Sequence, residues 1–583
     1  MSLRGRIPDA ESLYADPVLG VNLHKSEEDL QAGESSNMTN MIHYGRTQGR
    51  QGMTRITATQ IAASYRVRAG HKYYSNPVSG AVKKRLIAYN TFVSTISDAG
   101  TEAKIWSTLT TDLKVDFNTW SITDSEYICN GTDDLLVYDG TIVGPVGATN
   151  IRSTVYRWIS SPAQANEFYC ELAAGGDPNV ANVFADPSAT GGIYVGGTGA
   201  TAGTVGSLAA GEWDWGNNDT LGFNTIYVRL SDNSDPDAQA SGYIWLQLGA
   251  TVPGVTTSPA ASQTIGVLDR LFAITPNGIE RTDPRDPTVW SVDSSWATFR
   301  PSQSGTFKAM RPHVFANTDG APTSGAIAAT ESAYYFFTGT DFGDAPVSAA
   351  SPPTGENSSI IYVDAVGAYG PKSMTTVPGL GTFWLTPTKN VFFVPQGRVS
   401  GTFVGTRIYN TGGSSTTGLE DIEVTLGTEA WLVYSEPYLM LGYVPTGGTY
   451  VSRQYWLDLN KFRQDQRIPV WYGPMTGQTL GAVWSESAQQ DNATVAGESN
   501  PTTGVFVYNV QVPVTYSDSV GTADNAIACE LATYVKSGGA PSREKLVQGI
   551  EVEMTTTSGI ATADIADLSG TILSAIPLEK TFT

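Results

Sequence analysis

The chain has 583 residues with 35 Lys and Arg against 56 Asp and Glu, which gives a formal net charge of −21. Such a surface repels nucleic acid and argues against a nucleic-acid-binding protein. An aromatic content of 10% argues against a disordered chain. No apolar run approaches the roughly 18 residues of a membrane helix, so we expect no membrane span.

Motifs for catalysis or metal binding are missing from the sequence. The cysteines Cys129, Cys170 and Cys529 lie far apart without CxxC spacing, which predicts neither a disulfide framework nor a zinc site. No HExxH, GxSxG or GxxxxGK[ST] motif occurs. We therefore expect no enzyme, no cofactor and no metal. The N-terminal residues lack an apolar segment, which predicts no signal peptide and synthesis in a cytoplasm.

In chain order, polar residues come first and strand signals follow. Residues 1–36 carry few strand signals and are interpreted as an extended N-terminal arm. KRLIAYNTFVSTI (Lys84–Ile96) and AKIWSTL (Ala103–Leu109) alternate apolar and polar residues, which predicts strands with one buried face. In Trp120–Val143, two Asn-Gly or Asp-Gly pairs are type I′ hairpin signals. This stretch therefore predicts a meander of three antiparallel strands, as in one blade of a β-propeller.

Similar units recur at irregular spacing, for example in Thr264–Asp283 and Gly381–Gly397. We predict an all-β fold, an irregular β-propeller with an inserted small β domain and a small C-terminal β segment; an assembly of β-sandwiches is the alternative. The predicted domains are the arm (1–36), an N-terminal propeller segment (37–164), the inserted domain (165–255), a second propeller segment (256–525) and the C-terminal segment (526–583). The last segment includes a predicted strand at Lys545–Thr556.

Two features are interpreted as structural rather than as binding sites. The acidic segment Asp232–Gly242 lacks the glycine and the glutamate of an EF-hand loop and predicts a turn-rich loop rather than a calcium site. Six tryptophans in strand contexts are predicted to be core residues rather than a sugar-binding platform, because buried aromatics carry large apolar area. They are Trp106, Trp120, Trp384, Trp456, Trp471 and Trp484.

Basic residues concentrate in one segment of this acidic chain. Ile42–Arg85 contains nine Lys and Arg and no acidic residue. We interpret this segment as a strip that docks a second copy of the chain or another acidic partner; a basic strand pair on an acidic body is the alternative. The candidate docking residues are Arg46, Arg50, Arg55, Arg66 and Arg68.

Four segments carry distinctive patterns. Asn37–Ile56 is an asparagine-rich segment with an arginine-glycine turn before the first predicted strand. Ile265–Ser291 has a strand with an Asp-Arg-Leu core, followed by a turn and a second strand, and Gly381–Gly397 has paired aromatic strands. These three segments resemble the tail nozzle, or tail tubular, proteins of short-tailed phages, and Gly206–Tyr243 resembles a small module of phage structural proteins. The resemblance spans roughly residues 37–555, in a chain shorter than typical nozzles.

The resemblance implies a structural protein of the virion tail, a subunit of a homo-hexameric ring in the DNA ejection conduit. Its implied partners are other copies of itself and neighbouring tail or adaptor proteins, with DNA only as passing, non-specific cargo. An acidic lumen would let DNA slide without adhering, which fits the net charge of −21. A head-tail neck or decoration protein is one alternative, and a carbohydrate-binding adhesin or depolymerase of the tail is the other.

Overall fold

The computed structural model describes most of the chain between residues 18 and 577. The described residues are 18–25, 30–31, 34–43, 47–75, 82–141, 143–146, 149–150, 158–171, 192–195, 198–216, 225–239, 244–247, 260–267, 269–276, 278–283, 285–290, 305–316, 322–338, 359–409, 418–464, 468–486, 494–512, 517–527, 529–533, 562–566 and 572–577. Their regular structure consists of short strands, one α-helix, α1 (Leu459–Gln464), and a few 3-10 turns. The prediction of an all-β chain is therefore confirmed.

The N-terminal half contains four short strands, two four-stranded sheets and an insertion. The first four strands are β1 (Ser35–Thr39), β2 (Met41–His43), β3 (Thr47–Gly49) and β4 (Gly52–Arg55). The first sheet contains β5 (Val67–Ser75), β6 (Val82–Tyr89), β7 (Phe92–Ile96) and β8 (Glu102–Trp106). The second sheet contains β9 (Asp116–Trp120), β10 (Ser125–Cys129), β11 (Leu136–Tyr138) and β12 (Val143–Pro145). Both sheets are antiparallel meanders.

The insertion follows the second sheet and forms two sheets of its own. Its strands are β13 (Thr149–Asn150), β14 (Ile159–Ser160), β15 (Phe168–Glu171), β16 (Gly192–Val195), β17 (Thr198–Gly199), β18 (Thr201–Ala202), β19 (Glu212–Gly216), β20 (Thr225–Arg229) and β21 (Ile244–Gln247). A separate hydrophobic cluster that includes Trp158, Trp213 and Ile226 packs inside it. Because β13 and β14 belong to these sheets, the insertion begins before the predicted residue 165.

Four further four-stranded antiparallel meanders follow. The third sheet contains β22 (Gln263–Val267), β23 (Arg270–Thr275), β24 (Gly278–Asp283) and β25 (Asp286–Trp290). The fourth contains β26 (Phe307–Ala316), β27 (Pro322–Thr330), β28 (Tyr334–Thr338) and β29 (Ser359–Asp364). The fifth contains β30 (Met374–Val377), β31 (Gly381–Leu385), β32 (Val391–Pro395) and β33 (Thr402–Phe403). The sixth contains β34 (Trp431–Ser435), β35 (Tyr438–Tyr443), β36 (Arg453–Asp458) and β37 (Trp471–Met475).

The seventh sheet combines strands from both ends of the chain. Its order is β38 (Leu480–Ser485), β39 (Thr494–Glu498), β40 (Val507–Val512), β4, β41 (Ser517–Val520) and β42 (Ala523–Ala526). After it, β43 (Glu530–Thr533) pairs with β1. Residues 535–583 form a separate unit, whose described strands are β44 (Thr562–Ala566) and β45 (Ile572–Pro577). The predicted strand Lys545–Thr556 lies outside the described residues.

The first strands of the seven sheets contact one another in circular order. β5 lies against β9, β9 against β22, and the series continues through β26, β30, β34 and β38 back to β5. Hydrophobic clusters fill the spaces between successive sheets. For example, the ring of Tyr334 in the fourth sheet lies 5.2 Å from that of Trp384 in the fifth. Each sheet is thus covered on both faces, which explains why β23 and β31 are buried along their whole length and do not alternate.

The contact between the seventh and first sheets carries a buried ion cluster. The Glu486 carboxylate, just after β38, accepts hydrogen bonds from Arg85 Nε at 2.5 Å and from Arg85 Nη2 at 2.9 Å. Lys72 Nζ donates to the same carboxylate at 2.9 Å. Arg85 and Lys72 belong to β6 and β5, so this cluster joins the last sheet to the first.

Several sequence predictions need correction. The segment predicted as one alternating stretch, Lys84–Ile96, is a hairpin of β6 and β7 turning at Asn90, which has a positive φ. The two predicted type I′ turns do not form. A type I′ turn needs two residues with positive φ, whereas only Gly131 in the first loop and Gly140 in the second have a positive φ. In the first loop, Asn130 Oδ1 instead accepts hydrogen bonds from the backbone N–H groups of Thr132 and Asp133. The meander itself is confirmed and gains a fourth strand, β9.

The described portion of the predicted arm packs against its own chain. Val21 is fully buried, and its N–H donates to the carbonyl of Trp471 in the sixth sheet at 2.8 Å. Asn22 Nδ2 donates to the buried Glu34 carboxylate at 2.9 Å. This portion of residues 1–36 is therefore attached to the body instead of extending from it.

Candidate functional site

Four basic side chains and two carboxylates from four sheets meet near the N-terminal ends of the first strands of these sheets. The basic members, here called the cationic cluster, are Arg66, Arg68, Lys114 and Lys372. Each lies at or just before the N-terminal end of the first strand of its sheet. The carboxylates Asp112 and Glu429 precede the first strands of the second and sixth sheets.

Arg68 is the centre of this arrangement. Its Nη2 lies 2.7 Å from Asp112 Oδ2 and its Nη1 lies 3.4 Å from Glu429 Oε1. Lys372 donates to the backbone carbonyl of Arg68. Arg68 belongs to the first sheet, whereas Lys372 and Glu429 precede the fifth and sixth. Since sheets that are not neighbours in the circular order can touch only across its centre, the cationic cluster lies in the middle of the series.

The outer members of the cluster are more accessible than Arg68. Arg66 Nη2 lies 3.5 Å from Asp112 Oδ2, and Lys114 Nζ lies 3.6 Å from Glu429 Oε1. The side chains of Arg66 and Lys114 are 23% and 36% exposed, against 7% for Arg68. Solvent therefore reaches the cluster from the end at which these two residues lie.

The pKa directions follow from burial and crowding of like charges. Burial lowers the pKa of Lys372 to about 8, opposed by Glu429 and reinforced by the other three cations. Burial also lowers the pKa of Lys114, with Glu429 again opposing. Burial would raise the pKa of Glu429, but the four cations together hold it below its usual value. The carboxylate is thus ionised at neutral pH and partly neutralises the cluster.

A carboxylate and a guanidinium interact through their charges beside the cluster. Asp116, the first residue of β9, has its pKa raised to about 6 by burial, while the charge of Arg311 acts in the opposite direction. Arg311 donates to the carbonyls of Met374 and Pro371 at 3.0 and 2.9 Å. The charges of Asp116 and Arg311 cancel formally, so this pair leaves the net charge of the cluster unchanged.

The structure distributes the predicted docking residues among different environments. Arg66 and Arg68 belong to the cationic cluster. Arg55 contacts the Asp524 carboxylate at 3.2 Å and is 24% exposed, so its surface is accessible. Arg46 lies outside the described residues.

Arg50 is the clearest departure from the predicted strip. Its side chain is fully buried, and its guanidinium pairs with both carboxylate oxygens of Asp518. Its Nε donates to Asn40 Oδ1 at 3.0 Å. Its guanidinium therefore has no surface to offer a partner, and its inclusion in an exposed strip is wrong for this structure.

Sequence reasoning missed Lys114, Lys372 and Glu429. Lys372 and Arg68 are separated by 304 positions, and neither Lys114 nor Lys372 lies in a motif or a run of charge. Only the circular order of the sheets brings these residues together. By contrast, the interpretation of the six tryptophans as core residues is confirmed, since all six are at most 5% exposed.

At the other end of the first strands there is a small cavity of about 320 Å³. It is lined mainly by apolar and small residues of the third, fourth and fifth sheets, including Val267, Pro312, Val377 and Pro378. His313 in its wall is 2% exposed, and burial lowers its pKa to about 4. This histidine is therefore neutral at physiological pH.

Within the described portion of the chain, no three His, Cys, Asp or Glu side chains lie close enough to hold a metal ion. Asp232, in the segment weighed as a calcium loop, accepts hydrogen bonds from its neighbour Ser234, as a turn residue does. Of the three cysteines, Cys129 and Cys170 are buried and Cys529 is exposed. A helix long and apolar enough to cross a membrane is not found in the described ranges.

Comparison with solved structures gives distant likenesses. No protein-family model matches the chain, and no curated protein matches it. Among solved structures, PorZ of the type-IX secretion system of Porphyromonas gingivalis aligns with a TM-score of 0.33 and 7% identity, over 88% of this chain and 43% of PorZ. The chain thus spans less than half the length of PorZ.

Two other solved structures give weaker alignments. BBS1N, in complex with ARL6DN, aligns with a TM-score of 0.22 and 10% identity over 45% of this chain and 80% of its own. The extracellular domain of BT4673 from B. thetaiotaomicron, a putative one-component system, gives 0.20 and 8% over 82% and 64%. At these TM-scores, none of the three carries an argument about this chain.

Proposed function

We propose that this chain is a non-enzymatic structural subunit of a phage virion, most specifically a tail nozzle or tail tube ring subunit, built on an irregular seven-bladed β-propeller. The observation that carries the proposal is where the phage-like segments lie in the circular series. Ile265–Ser291 covers the strands of nearly the whole third sheet, and Asn37–Ile56 covers most of β1 and all of β2 to β4. β4 is the strand that completes the seventh sheet beside β40.

The circular order of the sheets supports the propeller. In a propeller, radial repetition of four-stranded sheets leaves only short edges. Here six meanders and the four strands β38, β39, β40 and β4 supply seven such sheets, and their first strands return to the starting sheet. Pairing an N-terminal strand with the last sheet joins the two ends of the series, as does the ion cluster of Glu486.

A rigid scaffold of this kind suits a component that must hold its shape during DNA ejection. Large hydrophobic clusters between successive sheets make bending between them costly. The insertion between the second and third sheets offers a separate surface for a neighbouring tail or adaptor protein. A carbohydrate-binding adhesin is less well supported, because the six tryptophans that could have formed a sugar platform are buried.

The resemblance predicts assembly into homo-hexamers, which can be tested on the purified full-length chain. Light scattering is expected to give six times the monomer mass of 62.0 kDa, and negative-stain images are expected to show rings or tubes. A compact trimer that binds polysaccharide would contradict the proposal and favour the adhesin. Immunogold labelling of particles would separate a tail subunit from a neck or decoration protein by the position of the label.

Arg55 offers a sharper test of the docking strip than Arg50. Because Arg55 is partly exposed, Arg55→Glu is expected to reduce assembly while the far-UV spectrum and thermal midpoint of the monomer stay close to those of the wild type. Lys308→Glu changes a similarly accessible basic residue outside the strip, with 31% of its side chain exposed, and serves as the control. Equal assembly of both variants would remove Arg55 from the interface.

A further inference from the structure

The cationic cluster carries more positive than negative charge. Its four cations face two carboxylates, Asp112 and Glu429, which leaves a formal surplus of two positive charges. The neighbouring charges of Arg311 and Asp116 cancel formally and add none. This surplus lies inside a chain whose net charge is −21, so it cannot be ascribed to a generally basic protein.

The surplus is concentrated where water screens it poorly. Arg68 is 6% exposed, and its Nε is buried without a hydrogen-bond partner. Buried N–H groups almost always have a partner, so this donor is available to an acceptor atom that binds beside Arg68. The lowered pKa values of Lys372 and Lys114 have the same origin, since burial and neighbouring cations both disfavour their charged forms.

We propose that the cationic cluster at the centre of the sheets binds a small oxyanion of the phosphate class. A tetrahedral oxyanion carries the acceptor oxygens and the negative charge that the cluster lacks, and the planar guanidinium fork matches its geometry. Arg66, Arg68 and Lys372 are the expected ligands, with Lys114 contributing charge at the accessible side. This inference is independent of whether the chain belongs to a virion.

The ligand is expected to be a free ion rather than the phosphate of a nucleic acid. A polyanion would have to approach a molecule with a large negative net charge, which opposes its binding. The residues that converge on the cluster from four sheets also restrict it to a small species. Inorganic phosphate is therefore the appropriate probe, and a short single-stranded oligonucleotide tests the other source of the same chemistry.

The experiment measures binding of inorganic phosphate to the full-length protein by calorimetry and by thermal unfolding, with sodium chloride at matched ionic strength as reference. Phosphate is expected to raise the melting temperature of the wild type more than chloride does. Arg66→Gln is expected to weaken phosphate binding about tenfold, a typical effect of losing one charge-assisted hydrogen bond. Lys308→Gln, outside the cluster, is expected to leave it unchanged.

A second variant changes the affinity in the opposite direction. Asp112→Asn removes a carboxylate that competes with the ligand, and asparagine tolerates the positive φ of 58° at this position. We expect phosphate to bind this variant several-fold more tightly. The proposal is overturned if phosphate stabilises the wild type no more than chloride, if neither variant shifts the affinity, or if the oligonucleotide binds through the cluster more tightly than phosphate.

Discussion

Glu486 is the residue whose replacement tests most directly how the seventh sheet is held against the first. Its side chain is 3% exposed and pairs with Arg85 and Lys72, which are 7% and 9% exposed. Glu486→Gln keeps the shape of the side chain but removes the buried counter-charge of Lys72 and Arg85, so that Arg85 retains only the exposed Asp98 carboxylate at 3.6 Å. Removing one partner of a buried ion pair costs about 3–5 kcal/mol. We expect the lower end of this range, because the amide oxygen still accepts one hydrogen bond.

The free energy of unfolding can be followed by tryptophan fluorescence in a urea titration. Trp484 is 5% exposed and packs between the seventh and first sheets, so it reports on the same contact as Glu486. The control is Glu331→Gln, which removes an exposed ion pair with Lys308 at 2.8 Å and should cost less than about 1 kcal/mol.

The triple replacement of Lys72, Arg85 and Glu486 by methionine completes the test. Replacing all members of a buried ion cluster by apolar residues is often neutral, so this variant should be more stable than Glu486→Gln. The reasoning is refuted if Glu486→Gln loses no more stability than Glu331→Gln, or if the triple variant is less stable than Glu486→Gln.

The contribution of Glu486 also has a defined pH dependence. Burial raises its pKa, but Arg85 and Lys72 lower it further, so the pKa in the folded protein lies below the ordinary 4.5. Between these two values the unfolded chain binds more protons, and stability therefore falls as the pH decreases. The stabilisation should be fully present well above pH 4.5 and should disappear as the carboxylate is protonated in the folded state.

Three further predictions concern other regions of the molecule. Asp518→Asn leaves a fully buried guanidinium unneutralised and should lower the free energy of unfolding by about 3–5 kcal/mol in a urea titration; an unchanged midpoint would contradict the buried pair. Gly442→Ala would place a methyl group 2.2 Å from the ring of Trp431 and should lower the free energy of unfolding by about 1–3 kcal/mol. The control Gly370→Ala adds a methyl group with no atom within 4 Å and should be close to neutral, which calorimetric melting points of the two variants can test. At His313 the unfolded chain should bind one more proton than the folded chain between pH 6.5 and about 4, so the free energy of unfolding should fall as the pH is lowered through that interval. His313→Asn should reduce the slope of this pH dependence by about one proton, and an unchanged slope would show that the histidine does not contribute.

The sequence alone was sufficient to predict the class of fold and much of its local structure. Short apolar and aromatic segments separated by Gly, Pro and Asn indicate strands, and the meander around Trp120–Val143 formed as predicted because strands that follow one another in sequence tend to pair. The burial of the tryptophans was predictable for a similar reason, since large aromatic surfaces are removed from water in any compact fold. Loop type was less predictable. The Asn130 side chain accepts hydrogen bonds from nearby backbone N–H groups, and Asn90 lies at the turn of a hairpin that the alternation of apolar and polar residues did not reveal.

Tertiary structure decided which charged residues belong together. The density of basic residues in Ile42–Arg85 was visible in the sequence. Of the candidate docking residues in it, however, the structure buries Arg50 against Asp518, leaves Arg55 partly exposed and places Arg66 and Arg68 in the cationic cluster. The density of charge along the sequence does not indicate the partners, because ion pairs such as Arg50 with Asp518 and Arg85 with Glu486 join residues that are hundreds of positions apart. Lys372 meets Arg68 only because the first strands of the sheets follow one another in circular order, which places the N-terminal ends of strands distant in sequence at a common centre.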